Sequence, residues 1–375
     1  MKPWMGDDEI LAVTQVISSG WVAQGPVVAR FETEFAAAMQ ANHAVATSSC
    51  TTALHLALIV AGVGEGDDVV VPSFSFIATA NAPTYVGAQP IFADVDESTG
   101  NVTAETISAV LTERTRAVII VDQGGVPVDL ESIRALLDPL GVVVIEDAAC
   151  GAGSTYRGRS VGSGAEIAAW SFHPRKLLTT GEGGMLTTSR ADWAARARRL
   201  REHSMSVSAS DRQASVLAPA EEYLEIGYNY RMTDLQAAVG IVQLVRLPEV
   251  VRRRREIAAQ YAGELSEVPG LRLVTDPPWG ETNFQSLWVE VKTSFPASRD
   301  GLLEALAEAE ISARRGIMAA HRQPAYRDRR AENGDLLITD RLTDTTLILP
   351  LFHQMTETEL GRVIEAIRAV ARVRR

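Results

Sequence analysis

The residues best suited to chemistry fall in four polar segments that follow or precede apolar runs. The most specific is Ser171-Phe172-His173-Pro174-Arg175-Lys176-Leu177-Leu178-Thr179-Thr180-Gly181-Glu182-Gly183-Gly184. Only three of the 36 basic residues are lysine: Lys2, Lys176 and Lys292. A chain that uses arginine wherever a positive charge suffices keeps lysine where a primary amine is needed. A guanidinium stays protonated and forms no Schiff base at neutral pH. Lys2 lies near the terminus and Lys292 ends a strand-like run, both ordinary places for a surface charge. Lys176 alone sits inside a motif. A strand ends at Phe172, Pro174 blocks its continuation, and a glycine-rich turn leads into the next strand. An amine there, partly desolvated and near other cations, is expected to have a lowered pKa and to act as a nucleophile. The glycines make no dinucleotide fingerprint, because the order strand, Gly-x-Gly-x-x-Gly, helix is absent.

The second segment is Val142-Val143-Val144-Ile145-Glu146-Asp147-Ala148-Ala149, an apolar strand delivering two carboxylates at its carboxyl end. A carboxylate there can keep a bound pyridine nitrogen protonated, which makes the ring an electron sink; it can also be a plain helix cap or surface acid. The third, Thr47-Ser48-Ser49-Cys50-Thr51-Thr52, opens a helix. Its hydroxyls suit an N-cap, and the free N–H groups with the helix dipole suit an anion. The fourth, Gly227-Tyr228-Asn229-Tyr230-Arg231-Met232-Thr233-Asp234, reads as a polar loop entering a helix. Asn229 and Arg231 there either reach a phosphate or carboxylate or serve as turn and cap residues.

The elements that must position these groups alternate between strand and helix. Strands are expected at 69–71, 90–95, 117–121, 142–145, 167–172 and 184–188, and helices at 51–60, 104–111 and 130–137. This alternation predicts a largely parallel sheet covered on both faces. Two long helices, 236–247 and 249–265, follow, with Pro248 at the break. A smaller α+β unit comes next, with strands near 271–274, 287–291 and 346–349, a helix at 299–308, a polar loop through about Asp335, and a last helix at 356–373. The chain therefore divides into a large domain, residues 1–248, and a small one, 249–375. In open α/β sheets, ligands sit beyond the carboxyl ends of strands, where the polar segments lie.

Composition narrows the partners. The net charge is −11 and the pI about 5.2, which argues against nucleic acid or an anionic membrane surface. Arg252, Arg253, Arg254 and Arg255 form the one dense basic run and read as a solvated helix face. No apolar stretch reaches the ~18 residues of a membrane span, and there is no secretory pattern. The two cysteines, Cys50 and Cys150, form no Cys-x-x-Cys pair. A cytoplasmic setting is expected. No metal site is expected.

Together the four segments, in this order and spacing, resemble the DegT/DnrJ/EryC1/StrS family of fold type I aminotransferases dependent on pyridoxal 5′-phosphate (PLP). The likeness runs from Ser19-Gly20-Trp21 with Gln24-Gly25-Pro26 to Leu349-Pro350-Leu351. It implies that Lys176 carries the cofactor as a Schiff base and that Asp147 pairs with the pyridine nitrogen. It implies that Ser49, Cys50, Thr51 and Ser171 bind the cofactor phosphate, and that Phe76, otherwise a core phenylalanine, stacks on the ring. Asn229 would reach the phosphate from a neighbouring subunit, making a homodimer with shared active sites. Trp21, Arg231 and His321 would contact substrate, although a surface histidine is as good a reading of position 321. Three residues depart from the family pattern. Cys50 stands where glycine is usual, Cys150 where a histidine or glutamine lies near the cofactor's phenolic oxygen, and Asp122 where many relatives carry histidine.

The resemblance further implies an amino transfer from L-glutamate to a keto sugar, nucleotide-linked, in amino-sugar biosynthesis, with the cofactor alternating between PLP and its amine form, PMP. Three rivals remain. One is an aminotransferase for a cyclitol or other non-nucleotide ketone. Another is a sugar dehydratase of the same fold, whose relatives carry histidine where this chain has Lys176. The last is a non-catalytic regulatory homologue, against which Lys176 and Asp147 both argue.

Overall fold

A computed structural model describes residues 3–207, 220–327 and 335–372. Two N-terminal helices, α1 (Asp7–Ser19) and α2 (Pro26–Ala38), precede the first strand, β1 (His43–Thr47). The chain then alternates through α3 (Cys50–Val60), β2 (Asp68–Pro72), α4 (Ile77–Tyr85), β3 (Gln89–Ala93), α5 (Ala104–Ser108), β4 (Thr115–Val121), α6 (Leu130–Leu137) and β5 (Val143–Asp147). A small hairpin, β6 (Thr155–Tyr156) and β7 (Arg159–Ser160), leads to β8 (Ile167–Ser171), β9 (Gly184–Thr188) and α7 (Ala191–Leu200).

The main sheet has seven strands in the order β1-β9-β8-β5-β4-β2-β3. The pairings from β8 to β3 are parallel, and β9 runs antiparallel to both of its neighbours. The sheet is thus mixed, as the chain reversal between β8 and β9 demands. Its central strands are runs such as Val69-Val70-Val71 and Val118-Ile119-Ile120, almost wholly buried. Branched apolar residues without polar alternation are what a sheet covered on both faces requires. One face packs on α3, α4 and α7 through Leu54, Leu58, Ile119 and Ala194. The other shares a core with a second sheet through Val118, Ile120, Trp288 and Leu347.

One helix, α8 (Asp234–Leu265), spans 32 residues, roughly 48 Å at 1.5 Å per residue. The expected break at Pro248 does not occur. Proline removes one backbone hydrogen bond, but Leu244, Leu247 and Val250 on either side are buried and hold the helix in line. Beyond it, β10 (Leu271–Leu273), β11 (Gly280–Glu281), β12 (Leu287–Val291), α9 (Arg299–Glu308), β13 (Arg314–Arg315), α10 (Leu337–Thr345), β14 (Thr346–Leu349) and α11 (Glu357–Arg372) follow. Their four-stranded sheet, β10-β12-β14-β13, is antiparallel throughout. The expected end of the last helix at Val373 lies outside the described residues, as do 328–334 of the polar loop.

The arginine run is corrected at one position. Arg252 and Arg253 pair with Glu256, and Arg255 with Asp276, on the outer face. Arg254 is 2% exposed. Its guanidinium donates to the carbonyls of Phe284, Gln285 and Leu351, and burial pulls its pKa down to about 9. It shares its helix face with Val250, Ile257, Ala258 and Tyr261, at helical spacing.

Candidate active site

Lys176 stands on the connection between β8 and β9. The loop is fixed by its own turns: Lys176 N donates to His173 O (2.8 Å) and Thr180 N to Phe172 O (3.0 Å). It is also held from the second sheet's side. Gln285 Oε1 accepts from Leu177 N (3.0 Å), and its amide nitrogen donates to Arg175 O (2.7 Å). The Lys176 ammonium lies 3.1 Å from the Cys150 sulfur. Desolvation alone would lower its pKa, but Cys150, Cys50 and Asp147 outweigh burial and raise it. The expected lowering by neighbouring cations is therefore overturned, because the groups around this amine are acids.

Asp147 closes β5 and is 5% exposed. Its Oδ2 accepts from Thr79 Oγ1 (2.8 Å) on α4, its Oδ1 accepts from Ala149 N (3.2 Å), and the Cys50 thiol lies 3.9 Å away. Burial pushes its carboxyl up despite these bonds and despite Lys176. A buried carboxylate at the carboxyl end of a central strand fits a cationic ring nitrogen. Thr79, Gln285 and Asn283 were not singled out in the sequence. Asn283 donates to the Cys150 carbonyl (2.7 Å), so it holds the turn that carries the thiol. The polar run Thr282-Asn283-Phe284-Gln285-Ser286 just ahead of β12 was the available signal.

The third segment meets β8 through one glycine. Gly184 is the register partner of both Thr47 on β1 and Ser171 on β8. A side chain at 184 would overlap the backbone of Ser49 and Cys50. Ser49 caps α3, its hydroxyl accepting from Thr52 N (3.2 Å). The first-turn N–H groups of Cys50 and Thr51 have no intrahelical acceptor, and Ser171 stands at the same end of the sheet. Such a cradle fits a phosphate.

The remaining residues fall out unequally. Phe76 is 64% exposed at the start of α4, so the reading as a core phenylalanine is wrong. Asn229 is exposed and Arg231 half-buried. Their loop borders the α3 cradle, since Ser48 N donates to Tyr230 O (2.8 Å). Trp21 is half-buried, with its indole N–H on Gln24 O (3.0 Å). His321 is no surface histidine. It is 2% exposed, with Nδ1 at 2.6 Å from Ser73 Oγ and Nε2 at 3.2 Å from Asp340. Both ring nitrogens are spent on tying its loop to β2 and α10. Trp4 stacks on His353 beside a small cavity that Lys176 also lines.

No helix among the described residues is long and apolar enough to cross a membrane, and no cluster of potential metal ligands occurs among them.

Comparison with solved structures gives the same architecture. The chain is 36% identical to the aminotransferase TlmJ from Streptoalloteichus hindustanus, with a TM-score of 0.90, covering 98% of this chain and 97% of that one. It is 32% identical to DesV from S. venezuelae, solved with a ketimine intermediate (TM-score 0.90, 98% and 95% covered). It is 30% identical to DesI, solved in the presence of its TDP-sugar product (TM-score 0.89, 99% and 92% covered). The profile of the DegT/DnrJ/EryC1/StrS aminotransferase family matches residues 3–368. With that match over nearly its whole length and a site built around Lys176 and Asp147, the chain belongs to this family and is a PLP-dependent aminotransferase of fold type I.

Proposed function

We propose that the enzyme transfers an amino group from L-glutamate to a nucleotide-linked keto sugar, in the making of an amino sugar. The observation that carries the reading is the placement of Lys176 and Asp147 in one enclosed cluster at the carboxyl ends of β8 and β5. The sugar acceptor is supported by the likeness to DesI, solved with its TDP-sugar product.

PLP, when bound, supplies the electron sink that makes a substrate α-proton acidic. Lys176 holds the cofactor and, once displaced, takes the proton from the donor's α-carbon as general base. Asp147 holds the proton on the ring nitrogen, and Thr79 keeps the carboxylate aimed. Ser49, Cys50, Thr51 and Ser171 hold the phosphate, and Phe76, exposed at the start of α4, covers a ring face. Cys150 contacts the cofactor's polar edge beside Lys176.

Asn229 completes the phosphate site of a second subunit, so the working unit is a homodimer. Exposed Tyr223, Leu224 and Ile226 on the same stretch support an interface there. Trp21 and Arg231 contact the substrate. Residues 1–248 form the large domain and 249–375 the small one, and two free thiols within the site suit a reducing cytoplasm.

The test is a half-reaction screen. The yellow protein is converted to its amine form with L-glutamate, then offered nucleotide-linked keto sugars and free cyclitol ketones. Recovery of the yellow form with a nucleotide-linked sugar is expected. Recovery with cyclitol ketones alone would refute the acceptor.

A further inference from the structure

Behind Asp147, on the opposite face of the sheet, two carboxyl groups face each other. Strands β4 and β5 pair in parallel with Ile120 opposite Glu146 and Val121 opposite Asp147. Successive side chains alternate faces, so Glu146 and Asp122 point to one side and Asp147 to the other. Asp122 is fully buried and Glu146 is 3% exposed.

Each carboxyl spends one oxygen on the backbone: Asp122 Oδ1 accepts from Val128 N (3.2 Å), and Glu146 accepts from Gly162 N. The two groups are in hydrogen-bonding contact, yet Asp122 Oδ2 and Glu146 Oε2 meet no protein donor. Two ionised carboxylates offer only acceptors. A single proton between them satisfies both orphaned oxygens at once.

Among the described residues no cation pairs with either carboxyl. The charged groups acting on Asp122 are Glu146 and Asp147, both acids. In the cleft that Glu146 lines, Arg134 is paired with Asp138 and Glu166, Arg157 is paired with Glu131, and Arg159 is exposed. Asp122 is also tied to the catalytic strand, its N–H facing the Asp147 carbonyl at 3.4 Å.

We propose that Asp122 and Glu146 share a proton as a buried acid pair at the back of the active site, and that this proton lets Asp147 keep its negative charge. The second half rests on the role proposed for Asp147. The first does not. Burial pushes both groups up, Glu146 to about 7 against the pull of its bonds to Gly162 and Asp122, and the charge of Glu146 pushes Asp122 further; the titration belongs to the pair. For Glu146 a raised native pKa means that the stability it brings is complete below 4.5 and is lost as pH rises through about 7.

The test uses infrared spectroscopy and thermal melts on the full chain, wild type, Asp122→Asn and Glu146→Gln, without and with PLP. The wild type should show a protonated-carboxyl C=O band at neutral pH that weakens in each amide variant, which replaces the shared proton by an N–H. Its melting temperature should fall across that pH window more steeply than either variant's. Absence of the band in the wild type, or equal slopes in all three proteins, overturns the pair. With the pair standing, PLP affinity should drop several-fold in the wild type over the pH range in which the protonated-carboxyl band disappears, and less in the variants. Equal pH dependence in all three would overturn the link to Asp147.

Discussion

The Cys150 sulfur sits 3.1 Å from the Lys176 ammonium, and the Cys50 thiol reaches Asp147 on the other side of the cluster. Lys176 and Asp147 are therefore each flanked by a cysteine sulfur. Cys150 is among the influences that hold the Lys176 pKa up against desolvation. Replacing Cys150 by alanine should let burial dominate and lower it. The pH midpoint for recombination of the cofactor-free protein with PLP should then move to lower pH than in the wild type. An unmoved midpoint would show that the contact is incidental.

Lys176→Ala should lose colour and amino transfer together. A positioned general base is worth about 10²- to 10⁴-fold, so turnover should fall at least that far. Borohydride reduction of the wild type should place the label on the peptide containing Lys176 and on neither of the other two lysine peptides.

Asp147→Asn separates stability from catalysis. In the cofactor-free protein, burial raises the Asp147 pKa above 3.8. Its stabilising contribution is present below that value and lost as pH rises through the native pKa. The asparagine variant should therefore gain melting temperature relative to the wild type as pH increases towards neutral. With PLP bound the order should reverse, because only the carboxylate pairs with a protonated ring. Thr79→Val should move Asp147 further up by removing a hydrogen bond to the ionised form, and should weaken PLP binding with little effect on the unloaded fold.

Gly184→Ala should damage the proposed phosphate cradle. The added methyl overlaps the Ser49–Cys50 backbone, and overpacking of this kind costs about 1–3 kcal/mol. A lower melting temperature together with faster loss of PLP on dialysis is the expected outcome. A variant that melts lower yet retains PLP normally would show that the close approach serves the sheet alone.

Much of this was legible in the sequence because the signals were local. Lys176 stood out by the scarcity of its residue type and by the strand, proline and glycine turn around it. Strands β2, β4 and β5 announced themselves as branched apolar runs. The short strand β1 and helices α1, α2, α4, α7 and α10 did not, being short or of mixed composition. Pro248 was read as a break from propensity, and buried apolar residues on both sides, Leu247 and Val250, overrode it. Arg254 looked like its neighbours because a run of like charges does not reveal which residue a helix turns inward. Thr79, Asn283 and Gln285 are remote in sequence from the groups they hold, so only the folded chain brings them together.

The unbroken α8 also has a mechanical meaning. Its first residue, Asp234, accepts from the backbone N–H groups of Gly25, Val27 and Val28, and twenty residues later Arg254 grips carbonyls beside Gln285. Gln285 in turn grips the loop that carries Lys176. The helix is thus a strut between the start of α2 and the loop that carries Lys176, a connection that runs outside the sheet.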